Sequence, residues 1–174
     1  NKTPLSMFLR GENIKFALNG GEEYFLLSLG QDSQQLEQLV DFIDKHADEH
    51  GVLHGWLDRK RQPLHKDRIN LYDVVKYVVK PATEKHKCSY VELVAPAGTS
   101  SQKPKWFVSH WWGEPLKDFV KALKNHAEVR GLEKTDAYWV CAYANCQHDI
   151  AKEIPEDPKD SAFFKAMQLC DGVV

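Results

Sequence analysis

From Lys103 to Val174 the chain runs strand, helix, strand, helix, strand, and that rhythm restricts the fold more than any other feature. Trp106-Phe107-Val108 is a short apolar run of the kind buried on both faces of a sheet. Leu116, Phe119, Val120, Leu123 and Ala127 follow with helical spacing, ending near Gly131. Ala137–Ala144 is a second apolar run, with Tyr138, Trp139, Val140, Cys141 and Tyr143 too dense for a half-exposed strand. Ser161 then caps a helix carrying Phe164, Met167 and Leu169, and Gly172-Val173-Val174 opens a third strand. Repeated βα units imply parallel strands and right-handed crossovers, so Trp106–Ser109 and Ala137–Ala144 are expected as parallel neighbours in one open sheet. In such sheets the ligand crevice lies beyond the carboxyl ends of the strands. Those ends are where function is sought.

The first part of the chain reads differently. Asn13–Leu29 has the pattern of a β-hairpin: Ile14, Phe16 and Leu18 alternate, Asn19-Gly20 is a two-residue turn, and Phe25, Leu27 and Leu29 alternate again. Asp32 with Gln35 forms a capping box for a helix burying Leu36, Leu39, Val40, Ile43 and Ala47, with Gly51 as its C-terminal glycine. Val52–Asp67 is polar and irregular around Pro63. A second helix starts at Asn70, buries Leu71, Val74, Val75 and Val78, and ends or bends at Pro81. Ser89–Ala95 looks like a strand. The Pro, Gly, Thr and Ser of residues 96–105 make the best boundary. The organisation expected is an α+β region over 1–95 with a hairpin and two helices, a linker over 96–105, and an α/β domain over 103–174 that stops at its third strand.

Composition narrows the function classes. A 43% apolar and 28% charged chain is ordinary for a soluble globular protein. The net charge of −2 argues against nucleic-acid binding driven by overall charge. The charge is unevenly placed, with nine acids and two bases from Glu12 to Glu49, but nine bases and four acids from Asp58 to Lys87. That polarity suits docking to another protein, although two solvated faces of opposite sign are the plainer reading. No stretch approaches the roughly 18 apolar residues of a membrane span, which leaves only peripheral attachment to a membrane complex. The chain begins at Asn1 rather than Met, so a removed leader stays open. Cys88, Cys141, Cys146 and Cys170 read as reduced thiols, and hence as an intracellular, reducing compartment.

Two constellations lie at the expected strand ends. Ser109-His110-Trp111-Trp112-Gly113-Glu114-Pro115 offers a Ser-His pair and two indoles that can stack a ring, with Glu114 placed to favour a helix dipole. Glu114-Pro115 is equally a helix-start signal, and the indoles are equally core. Asn145-Cys146-Gln147-His148 ends the second strand, so His110 and Cys146 would face each other across one crevice as a minimal cysteine nucleophile. Zinc is disfavoured for His110, Cys141, Cys146 and His148: strand alternation over an odd offset turns Cys141 away from Cys146, and no metal is expected. His46, His50 and His54 recur every four residues, but Gly51 interrupts the ladder. Arg59-Lys60-Arg61 is too short for a nucleic-acid tract.

Trp106 to Pro115, Tyr138 to Asn145, and Gln147-His148 resemble segments of a group of proteins from dinoflagellate-type algae whose element order is similar to a TIR (Toll/interleukin-1 receptor) domain. The resemblance covers Ser89 to Val174. It implies a flavodoxin- or TIR-like open sheet that serves either self-association or NAD hydrolysis. Enzymatic members use a glutamate on a helix after the third strand; no residue here matches it, and Glu114 lies too early to take the role. The leading expectation is therefore an association or scaffolding module without catalysis of its own, partnered by another protein or a second copy. The alternatives are an NAD-like nucleotide-binding or NAD-cleaving module using Ser109, His110 and Trp111, an accessory subunit of a large organellar (for example photosynthetic) assembly, and a Cys-His hydrolase built on Cys146 and His110. Ser109, His110, Trp111, Trp112, Glu114, Asn145 and His148 are the candidate binding residues.

Overall fold

The computed structural model describes residues 14–18, 21–25, 33–94, 104–133, 136–150 and 155–174. Its organising unit is a three-stranded parallel sheet in which Trp106–Phe107 lies between Tyr138–Trp139 and Gly172–Val173. The strands are β5 (Trp106–Phe107), β6 (Tyr138–Trp139) and β7 (Gly172–Val173). In register, Phe107 lies opposite Trp139 on one side and Val173 on the other. The two sequence segments expected as parallel neighbours are therefore parallel neighbours. Pairing outlasts the strands: Val108 N–H donates to the Trp139 carbonyl at 3.0 Å and Ser109 N–H to the Val174 carbonyl at 2.8 Å. The chain is mixed α/β.

The crossover helix α5 (Leu116–Arg130) buries Leu116, Phe119, Val120 and Leu123, four positions on one stripe. Pro115 is its N-cap, and Gly131 closes it in the left-handed region at φ 59°, where a side chain would be strained. The C-terminal helix, Ala162–Leu169, is capped by Ser161, whose hydroxyl accepts from Phe164 N–H. Upstream, β1 (Ile14–Leu18) pairs antiparallel with β2 (Gly21–Phe25), Leu18 opposite Gly21, as a two-residue turn requires. Asn19-Gly20, Leu27, Leu29 and Asp32 lie outside the described residues, as does most of the linker. Helix α1 spans Ser33–His46.

Several sequence expectations need correction. Helix α1 stops five residues before Gly51. Asp48 intervenes, its carboxylate accepting from the N–H groups of His50 and Val52, so Gly51 serves a turn at φ 77° instead. Val52–Asp67 is no irregular stretch. It forms β3 (Val52–Leu57) and β4 (Pro63–His65), an antiparallel pair whose register shifts between Leu53 and Leu57 and so hides the alternation. Ser89–Ala95 is helical: α4 (Tyr90–Val94) starts from a reciprocal Ser89–Glu92 pairing, with Ser89 N–H and hydroxyl on the Glu92 carboxylate and Glu92 N–H on the Ser89 oxygen. Ser-x-x-Glu is a capping box, and a short apolar run cannot by itself distinguish strand from helix. For the same reason the second apolar run is a strand only to Trp139. Cys141–Ala144 winds into one turn of helix, α6, whose Cys141, Ala142 and Tyr143 are all buried.

Asn70 starts α2 (Leu71–Val74) with a complete capping box. The helix does not end at Pro81. It widens into a π turn over Val75–Val79 and continues as α3 (Lys80–Thr83), the usual way a helix absorbs a proline that lacks its N–H. The π turn buries Val75, Val78 and Val79 beside Trp56, which is 1% exposed and stacked on Tyr77 at 4.9 Å.

Both halves of the sequence share one hydrophobic cluster, running from Leu36, Phe42 and Trp56 through Val78 to Phe119, Val140 and Tyr143. Backbone bonds join them too. Leu71 N–H donates to the Trp112 carbonyl at 3.1 Å, and Leu116 N–H to the Ile69 carbonyl at 2.7 Å. Part of the charge polarity is neutralised within the chain, because Lys66 of the basic stretch pairs with Asp44 of the acidic one at 3.0 Å. Lys117 on α5 reaches Asp44 at 2.9 Å and Asp67 at 3.0 Å. Burial pushes the Asp44 carboxyl up, but the Lys117 and Lys66 ammonium groups outweigh it and hold the carboxyl below its ordinary range. Among the described residues no helix is long and apolar enough to cross a membrane. Because the pairs are partly exposed, Lys117→Met is expected to cost only about 1 kcal/mol. Urea denaturation at low and high salt checks this, the deficit shrinking in high salt.

Candidate functional site at the strand tips

Beyond the carboxyl ends of β5 and β6 lies a pocket of about 460 Å3. It is lined by Phe107, Val108, Ser109 and His110 from the end of β5, and by Trp112, Cys141, Asn145, Gln147, Ile150 and Phe163. The location is the one that a parallel sheet with crossovers dictates. Of the residues singled out from sequence, Ser109, His110, Trp112 and Asn145 meet here. Trp111, Glu114, Cys146 and His148 are not part of the lining.

Trp111, Cys146 and His148 are each engaged elsewhere. Trp111 sits in the turn after Ser109-His110, 72% exposed, with its indole lying over Gly113, where any Cβ would collide with the ring at 2.4 Å. Trp112 turns inward instead, half-buried, and its indole N–H donates to Cys141 Sγ at 2.9 Å. Past α6 the backbone is extended at Asn145, with φ −94° and ψ 147°. The chain then turns, Asp149 N–H reaching the Cys146 carbonyl at 3.4 Å, and Asn145 and Gln147 line the pocket while Cys146 and His148 do not. Cys146 Sγ donates to the Lys87 carbonyl at 3.3 Å. Thr83 Oγ1 gives its hydrogen to the Val79 carbonyl at 2.7 Å, so His148 Nε2, 2.8 Å from that oxygen, is the donor between them. Glu84 approaches the other ring nitrogen at 3.4 Å.

The pairing of His110 with Cys146 is thus not assembled: one lines the pocket, and the other lies outside the lining with its thiol on the Lys87 carbonyl. The strand alternation used to separate Cys141 from Cys146 does not apply either, since Cys141 opens a helical turn. Their divergence comes from that turn. The described residues contain no group of three or more His, Cys, Asp or Glu side chains placed to hold a metal ion. The histidine ladder is broken as well, with His54 paired to Asp48 at 2.7 Å beyond the end of α1. Six lining residues lie outside the candidate binding set: Phe107, Val108, Cys141, Gln147, Ile150 and Phe163. Gln147 belongs to the Asn145–His148 segment already singled out at the strand end.

The lining carries no Asp, Glu, Lys or Arg. Burial lowers the His110 imidazole below its ordinary value, partly offset by the Val108 carbonyl and the charge of Glu114. Burial likewise pushes the Cys141 thiol up, against the pull of the Trp112 N–H. At neutral pH the pocket is uncharged. Gln147, 4% exposed, is committed, donating to the Cys141 carbonyl at 3.1 Å and the Asn145 carbonyl at 3.3 Å. Two neighbours are not. His110 Nε2 and Asn145 Oδ1 are buried without a hydrogen-bond partner. Both atoms are enclosed by protein, and a buried polar atom without a partner costs about 1–3 kcal/mol.

No protein-family model, curated protein or solved structure matches the chain. The site is therefore read from its own geometry.

Two outcomes are expected. Trp111→Ala should leave stability within about 0.5 kcal/mol, whereas Trp112→Ala should cost about 2–3 kcal/mol, since it empties part of a packed wall. Paired denaturation curves separate them. His110 should titrate below about 6.5 in an NMR pH series. A depressed imidazole means that the unfolded chain takes the proton first. Stability should therefore fall as pH drops from about 6.5 to the folded value and then level off, with His110→Gln removing part of that slope. His126, also lowered by burial, contributes with the same sign.

Proposed function

We propose that this chain is a non-catalytic binding module that receives a small, flat, uncharged group in the strand-tip pocket. The observation that carries this is a cavity of about 460 Å3 at the strand tips, walled by Phe107, Trp112 and Phe163, with no charged side chain in its lining and Ser109 and Asn145 among its polar residues. Ligand pockets generally combine apolar walls with a few placed polar groups in this size range. Covalent chemistry has little support. The lining has no carboxylate, its one thiol is held protonated by burial, and the thiol of Cys146 faces elsewhere. NAD cleavage and a Cys-His hydrolase are accordingly the weaker readings.

The TIR-like frame and its algal resemblance remain part of the proposal, supported by the βαβ plan of the parallel sheet. Association with a protein partner, as in a scaffold or an accessory subunit, is favoured by a separate feature. Met167, Leu169 and Val173 are 45%, 51% and 61% exposed on the C-terminal helix and the outer strand β7.

The pocket reading is tested by titrating uncharged planar fragments into 15N-labelled protein. Shifts confined to the amides of Ser109–Trp112 and Asn145–Gln147 are expected. Ser109→Phe, which fills the mouth from an exposed position, should abolish them without lowering the melting temperature. Absence of any such shift across the panel would sink the reading.

A further inference from the structure

Outside the pocket, two segments of the chain lie side by side, and each carries a thiol. The stretch from Thr83 to Tyr90, which connects α3 to α4, meets the stretch from Tyr143 to His148 at three points. Thr83 Oγ1 lies 2.8 Å from His148 Nε2, the Lys87 carbonyl accepts from Cys146 Sγ at 3.3 Å, and the rings of Tyr90 and Tyr143 are 5.8 Å apart. Residue numbers rise along one segment as they fall along the other, so Cys88 follows directly on the Lys87–Cys146 contact. Covalent geometry tightens the placement. Across a trans peptide the Lys87 oxygen sits about 2.8 Å from Cys88 Cα. With the 3.3 Å contact, Cys146 Sγ is within about 6 Å of that Cα. A disulfide sets the same two atoms about 4 Å apart, a shift within reach of two residues that lie outside helix and strand. Both cysteines are free, Cys88 buried and Cys146 partly exposed. Burial pushes the Cys88 thiol up to about 11, and the charges of Glu92 and of a Cys146 thiolate push in the same direction.

We infer that Cys88 and Cys146 are a redox modification site, closing to a reversible disulfide when the chain meets a small-molecule disulfide of the glutathione type. Cys146, the reachable thiol, reacts first. Its thiolate attacks one sulfur of the oxidant, expels one glutathione thiolate and keeps the other half as a mixed disulfide. Cys88 then loses its proton to solvent, attacks Cys146 Sγ and expels the second glutathione. Two protein thiols are oxidised, one glutathione disulfide is reduced to two thiols, and the two cysteine protons end on the released glutathiones. Because Cys88 holds its proton tightly, closure is the slow step and accelerates as pH rises. The bond ties the α3–α4 connection to the segment after α6, which shortens the unfolded chain's reach and favours the folded state. None of this depends on the strand-tip pocket holding a ligand.

The test oxidises the full, folded, reduced chain with glutathione disulfide at mildly alkaline pH. Remaining thiols are then blocked with N-ethylmaleimide, and peptides are mapped by mass spectrometry without reductant. A peptide pair joining Cys88 to Cys146 should be the main internal cross-link, and two of the four cysteines should escape alkylation. Dithiothreitol should return all four, and the oxidised chain should melt at a higher temperature than the reduced one. Cys88→Ala should stop the reaction with glutathione left on Cys146. In Cys146→Ser the buried Cys88 should stay unmodified, and glutathione on Cys88 there would overturn the order of attack. For the native chain, three results would each overturn the pairing itself: glutathione persisting on Cys146, Cys146 joined mainly to Cys141 or Cys170, or four alkylated thiols after exposure.

Discussion

Everything at the site depends on one two-residue strand having partners on both edges. A backbone buried in a sheet must place each N–H and C=O, and β5 does so by taking β6 on one side and β7 on the other. Lys105 and Trp106 N–H groups both reach the Ala137 carbonyl, Val108 reaches Trp139, and Val174 N–H returns to Phe107. With the strand fixed on both edges, Ser109 and His110 leave it at a set point and in a set direction. The turn that follows is held from the other half of the chain by Leu71 N–H on the Trp112 carbonyl. The inward pose of Trp112 is therefore the product of a sheet on one side and a helix start on the other.

The parts of this arrangement legible in sequence were those with long or doubled signals. Helix α5 has a four-residue buried stripe, a Glu-Pro start and a glycine end, and nothing competes with that combination. The parallel pairing followed from spacing alone. What failed were short apolar runs. Tyr90–Val94 and Cys141–Ala144 are rich in residues that suit either state, and the choice between them was made by packing, by the Ser89–Glu92 pairing in one case and by the end of strand pairing in the other. The consequence reached the site. An error in where β6 ends shifts which of Cys141, Asn145, Cys146, Gln147 and His148 face the crevice, and five neighbouring residues were sorted by that one boundary.

The pocket also shows how neutrality can be built. Its one thiol and one imidazole are both kept uncharged by burial, and the nearest carboxylate considered in sequence, Glu114, acts on His110 only from outside the lining. A site of this kind has little leverage on charged substrates, and its selectivity must come from shape and from the polarity of a few atoms. Trp112 Nε1 and Gln147 Nε2 are engaged within the pocket's own walls, on Cys141 Sγ and on the Cys141 and Asn145 carbonyls.

The order β6-β5-β7 has a consequence for when the pocket exists. Strands of two residues have no independent stability, and the outer partner β7 comes from far downstream of the strand it completes. A chain emerging from its N-terminus presents β5 with an open edge until the last of these segments arrives. Phe163, on the helix just before β7, joins the wall at the same late stage. A chain still lacking these segments lacks one wall of the cavity and one edge partner of β5. Whatever occupies the cavity therefore binds only after β7 has joined the sheet, and its binding energy is added to that folded state.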